Sequence, residues 1–167
     1  MSNYRLPDVK NAMCAALATD LAAVTGGLPW IVSAEWPNWA KFKRSIPRTD
    51  AARGGIALVT TQNSPDEEGP FNSFKNRARL RVRYGVHLPV KQDSQQPDQP
   101  TTLALVSAVE KQVRTTITVN RDWSVLGGPG AQTIDSYCKD IIAFDDGDKD
   151  LLVFDAFAEV FFIWSVP

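Results

Sequence analysis

The sequence predicts an α/β (α+β) fold: a mixed, mostly antiparallel sheet with two principal helices packed on it. Three observations lead there. Two stretches place apolar residues at helical steps of three and four, residues 77–88 alternate as a strand does, and residues 151–166 alternate again behind a turn. At 167 residues the chain is long enough to bury a core and has the size of one domain.

Leu6, Val9, Met13, Leu17, Leu21 and Val24 recur at helical steps among alanines, so residues 7–24 form an amphipathic helix that Gly26 and Gly27 stop. Trp30 to Glu35 reads as a short strand. Trp36, Pro37, Asn38 and Trp39 then open a basic stretch with Lys41, Lys43, Arg44 and Arg48, and the β-branched content of Ile56 to Thr61 marks a second strand. Residues 62–75 mix prolines, a glycine, an acidic triplet and two phenylalanines without periodicity, which describes a long loop or arm.

In the strand 77–88, Arg77, Arg79, Arg81 and Arg83 share one face, and Ala78, Leu80, Val82, Tyr84, Val86 and Leu88 share the other. Residues two apart on a strand are roughly 6.6 Å apart, so the guanidinium groups form a positive row about 20 Å long. After a polar linker at 91–100, a second helix over 101–116 carries Leu103, Val106, Val109 and Val113 on its buried stripe. Thr115 to Val119 is expected to extend into a strand. The chain closes as a hairpin: Ile141 to Phe144, a solvated turn at 145–148, and a long strand from Leu151 to Val166. Both faces of that last strand are largely apolar, so it is expected to be central in its sheet or covered on both sides, since as an exposed edge it would aggregate.

Charge is polarised along the chain. Residues 1–40, 41–91 and 92–167 contribute −1, +7 and −7 to a formal net charge of −1. Such halves meet as cross-strand pairs inside one fold, or make unlike faces that join copies head to tail. Asp155 and Glu159, four apart on one face of the last strand, are candidates to oppose the arginine row. Trp30, Trp36 and Trp39 crowd into ten residues, and tryptophan favours interfaces, so Trp36 and Trp39 join the four arginines, Asp155 and Glu159 as candidate subunit or partner contacts.

Catalytic chemistry has little to stand on. His87 and Cys138 are the only pair able to supply a base and a nucleophile, and neither has an orienting context. Two cysteines and one histidine make a zinc site improbable, and Cys14 and Cys138 are expected as reduced thiols in a cytosolic chain. Asp145, Asp146, Asp148 and Asp150 lack the glycine and glutamate of a calcium loop, and GGPG at 127–130 lacks the Lys-Ser or Lys-Thr of a phosphate loop. No catalytic residue, metal or cofactor is therefore assigned. No basic-then-apolar leader follows Met1, and Asp155 and Glu159 interrupt the longest apolar stretch, so neither a secretory signal nor a membrane span is expected. The arginine row raises nucleic-acid binding as an alternative, although its own face of the strand carries no interleaved aromatics.

The element order, with RVRYGVHLPV at 81–90, TLALVSAVEKQV at 102–113 and the closing FAEVFFIWSV at 157–166, resembles the tail-terminator (tail-completion) proteins of long-tailed bacteriophages. The resemblance implies helices packed on a mixed sheet and six copies closing into a ring on the tail tube. Such a ring stops tube growth, offers its other face to the head connector and passes genome DNA through its lumen. It implies a virion protein of the tail or neck, assembled in the host cytoplasm, whose activity is binding. The family has no motif residues to transfer. Four arginines facing a DNA lumen would retard sliding, so the row belongs at a subunit contact or opposite Asp155 and Glu159. A head-tail stopper or connector of the neck is the neighbouring alternative.

Overall fold

The computed structural model describes residues 6–47, 53–62, 75–88, 99–118, 131–148 and 150–164. The expected arm between 62 and 75, most of the linker at 91–100, Val119 and the GGPG turn lie outside them. Helix α1 spans Leu6–Val24, strand β1 Trp30–Ser33, helix α2 Trp39–Ser45, β2 Gly55–Thr61, β3 Lys75–His87, helix α3 Gln99–Thr118, β4 Ala131–Phe144 and β5 Leu151–Trp164. The five strands form one sheet in the order β1-β2-β3-β5-β4. Only β1 and β2 run parallel; every other neighbouring pair is antiparallel. The fold is thus α+β, a mixed and mostly antiparallel sheet with helices packed on it.

Helices α1 and α3 share one face of the sheet. Val9, Met13, Leu17 and Leu21 of α1 and Val109, Val113 and Ile117 of α3 pack on Ala57, Val59, Leu80, Val82, Tyr84, Val86, Ala156, Ala158 and Val160. Helix α1 ends as its sequence requires: Gly26 and Gly27 take φ of 72° and 85°, and the Gly27 N–H donates to the Ala22 carbonyl at 2.8 Å. The hydroxyl of Thr116 donates to Asp20, and that of Ser136 to the Ile117 carbonyl, tying α3 to α1 and to β4.

Trp30 roofs the β1–β2 end of this core. Its indole N–H donates to Thr25 at 3.1 Å, and its ring lies over Gly54 and Gly55. A Cβ on Gly55 would collide with the Gly85 carbonyl oxygen and the Trp30 ring, so the close strand approach depends on glycine there.

Four sequence expectations need correction. Residues 115–118 are the last turn of α3, not a strand. Leu103 is 69% exposed and Val106 half-buried, so the buried stripe runs through Val109, Val113 and Ile117. At 100° per residue Leu103 points about 80° away from Val113, the middle of that stripe. Strand β4 begins at Ala131, ten residues before the expected start. Its two bulges, between Thr133 and Asp135 and between Cys138 and Asp140, reset the alternation by which a strand is read.

The fourth concerns α2, which the sequence reading did not include. Asn38 caps it by accepting from the Lys41 N–H at 2.9 Å. Trp39 and Phe42 then reach the sheet face opposite α1 and α3, where they pack on Ile56, Leu58, Leu151 and Val153.

Candidate functional site

The arginine row lies on the face that carries α2, and its register is a regular grid. Beyond the apolar row under α2, the next row reads Leu58, Arg83, Asp155, Ile142 from β2 to β4. The row after it reads Thr60, Arg81, Phe157, Asp140, and the following one pairs Arg79 with Glu159 and Tyr137. Directly opposed residues in an antiparallel sheet point to the same side, so these side chains share one surface.

Two of the arginines meet carboxylates of their own chain. The Arg83 guanidinium donates to both Asp155 oxygens, at 2.7 and 2.8 Å, and its carbon lies 3.6 Å from the centre of the Phe144 ring. Arg79 stands 3.4 Å from Glu159, whose second oxygen accepts the Tyr137 hydroxyl; Lys139 lies 3.9 Å away. Both carboxylates are buried, Glu159 to 3% exposure. A buried carboxylate needs such partners, because burying a charge unpaired costs several kcal/mol, on the order of the 3 to 5 found when a buried pair is broken.

Arg81 differs. Its register partner is Phe157, so no carboxylate stands opposite it. Arg77 is opposite Phe161 by backbone register, and its side chain lies outside the described residues. The aromatics missing from the arginine strand are thus supplied by its neighbours: Phe157 beside Arg81, Tyr137 one row on and Phe144 beneath Arg83. The absence of interleaved aromatics, argued from one strand, does not hold for the sheet.

The two candidate tryptophans part company. Trp39, the first residue of α2, is buried against the sheet 5.9 Å from Phe42, and its indole N–H donates to Asp146 at 3.1 Å. Trp36 stands 37% exposed on the loop after β1. Lys43 reaches Asp146 at 2.7 Å and Asp148 at 3.1 Å, so the acidic turn is a docking point for α2 and not simply a solvated hairpin. Burial would raise the pKa of Asp146, but the bonds from Lys43 and Trp39 outweigh it and hold the carboxyl below its ordinary range. Burial works against Asp148 in the same way, and the Asp150 N–H and Lys43 lower it.

His87 and Cys138 do not meet. His87 is opposite Leu151 and Cys138 opposite Ala158, seven residues further along β5 and on the other face of the sheet. That is a separation of roughly 23 Å along the strand. Burial raises the pKa of both thiols, Cys14 to about 12, which makes them poor nucleophiles. Both cysteines are free. Among the described residues no group of three His, Cys, Asp or Glu is placed to hold a metal ion, and no helix is long and apolar enough to cross a membrane.

Sequence reasoning missed α2 and its hold on the acidic turn. The available signal was Asn38, a cap residue, ahead of Trp39 and Phe42 at a helical step of three. Compared with models of known protein families the chain matches none, and no curated protein is detectably similar to it.

Proposed function

We propose that this chain is a structural subunit of a phage virion, a tail-terminator-like protein whose copies close into a ring. The ring, a hexamer by the family resemblance, caps the tail tube, joins it to the head-connector protein and lets genome DNA pass. The observation that carries this reading is the order and layering of elements. Helix, two short strands, long strand, helix and closing hairpin follow one another in the order on which the resemblance rests, with α2 as an addition between the short strands, and α1 and α3 lie on a single sheet face.

One earlier motive for the ring loses weight. Lys43 with Asp146 and Asp148, Arg83 with Asp155, and Arg79 with Glu159 join the basic and acidic segments inside one chain. Head-to-tail charge is therefore not what should hold the copies together, and Trp39, Arg83 and Asp155 act first as internal contacts. The test is capping: purified protein added to growing tail tubes fixes their length and is seen at one end by negative stain. Capture of portal-side proteins without tubes points instead to the stopper.

A second reading is favoured by Arg81 opposite Phe157 in the register, a half-buried cation next to a half-buried ring, which is chemistry suited to single-stranded nucleic acid. Labelled DNA that binds at low salt, and no longer binds the Arg81→Ala variant, supports it. No binding at low salt ends it.

A further inference from the structure

Among the described residues six large apolar side chains are exposed; Leu103 lies on α3 and Leu152 on the interior strand β5, and the other four lie on or beside the two edge strands. At the β1 edge Ile31 is 36% exposed, with Leu28 and Trp36 beside it in sequence; at the β4 edge Ile142 is 55% exposed. Among the described residues no strand pairs with the outer side of either edge. Unpaired, apolar edges are templates for another strand, and a protein that is not aggregating either blunts them or uses them.

Part of β4 is blunted already. The Cys138 N–H donates to Thr118 of α3, and the bulge between Cys138 and Asp140 follows at once. What remains regular and open is the stretch from Asp140 to Phe144, about the length of the four-residue β1. Strand directions are also compatible. Counting across the sheet, β1 and β4 run in opposite directions, so copies related by rotation about a ring axis bring β4 against the next β1 antiparallel.

We propose that the sheet continues from one copy to the next, β1 of one pairing antiparallel with β4 of its neighbour, with Ile31 opposite Ile142. Pleat and chemistry agree in this register. Trp30 and Val32 point to the helix face, as does Ile141, while Ile31, Ile142 and Asp140 point to the other. Trp30 then meets Ala143, Val32 meets Ile141, and Ser33 meets Asp140, so apolar faces apolar and polar faces polar. The exposed Glu35 arrives beside Lys139, at the end where the neighbour's bulge begins. A shift by one residue would set Ile31 against the opposite face and lose every match. The contact is heterologous, so it closes a ring or runs on as a filament; the proposal rests on the reading of this chain as a self-assembling ring subunit.

The experiment places cysteines at Ile31 and Ile142 in a Cys138→Ser background. Opposed Cβ atoms in such a pair are about 4.5 to 5.5 Å apart, within small adjustment of disulfide geometry. Under mild oxidation the double variant is expected to give a reducible ladder of chain multiples. Each single variant alone gives none, and a mixture of the two gives dimers. Cross-linking of Ile142→Cys alone overturns the proposal in favour of β4 pairing with β4. Rings of defined mass without cross-links overturn it and leave the ring reading standing, whereas open filaments with cross-links keep the pairing and refute the ring. A strict monomer at every concentration overturns the pairing, and overturns the ring as well if the protein also fails to cap tail tubes. Ile142→Lys in the otherwise unchanged chain is expected to weaken self-association roughly tenfold, with an unchanged melting temperature at concentrations where the chain is dissociated; unchanged association contradicts the pairing.

Discussion

Arg83 and Asp155 face each other across β3 and β5 in a two-bond pair, 2.7 and 2.8 Å long, with the Phe144 ring under the guanidinium. The last arginine of the row is therefore part of what holds the sheet together. Arg83→Ala leaves a mostly buried carboxylate without its partner, and the expected loss is about 2 to 4 kcal/mol, slightly under the range for fully buried pairs. Replacing both residues by leucine should recover most of it. Urea unfolding of Arg83→Leu, Asp155→Leu and the double leucine variant gives the coupling; additive losses would mean that the pair contributes nothing as a pair.

The docking of α2 should depend on pH at both ends. Asp146 and Asp148 have lowered pKa values, so their contribution is present above the ordinary carboxylate range and fades as pH falls through the folded values. Lys43, with burial acting to lower it and Asp146 and Asp148 prevailing to raise it, contributes below its ordinary value and fades as pH rises through the folded one. The stability difference between the natural chain and Lys43→Met should thus form a plateau from about pH 5 to pH 10 and shrink on either side. A difference that stays flat down to pH 2 would show that the ion pairs do not hold the helix.

Two glycines in neighbouring strands should respond differently to alanine. At Gly55 the new Cβ strikes the Gly85 carbonyl, which is backbone, and the packed Trp30 ring. At Gly85 the three atoms nearest to it all belong to the Leu151 side chain. Gly55→Ala is expected to cost about 1 to 3 kcal/mol and Gly85→Ala less, because leucine can change rotamer. Equal melting temperatures for the two variants would contradict this.

Helix α3 offers a direct comparison of expectation and structure. Leu103→Ser should change stability by no more than about 0.5 kcal/mol, whereas Ile117→Ala should cost about 2 to 5 kcal/mol. A large loss at Leu103 would return it to the buried stripe.

Legibility in the sequence followed local regularity. The strand from Lys75 to His87 was visible because its pleat runs without interruption from Arg77 to Arg83, and α1 because six apolar residues keep helical spacing up to two glycines. The first ten residues of β4 were not visible, since its two bulges break the period of two. Helix α2, seven residues long, has too few turns to show a period. Opposition of Asp155 and Glu159 to the arginines was legible as a possibility because carboxylates four apart share a strand face. Which arginine met which acid, and that Arg81 met Phe157, depended on register, and register is a property of two strands at once.

The measurement that tests the central claim most directly is the mass of the purified chain by light scattering over a wide range of protein and salt concentrations, with negative-stain images of any large species. A ring subunit joined through apolar sheet edges should give closed particles of one size that persist in high salt, because apolar contacts hold the copies together while Lys43, Arg79 and Arg83 already meet carboxylates within each chain. A monomer under all conditions that also fails to cap tail tubes would contradict the account.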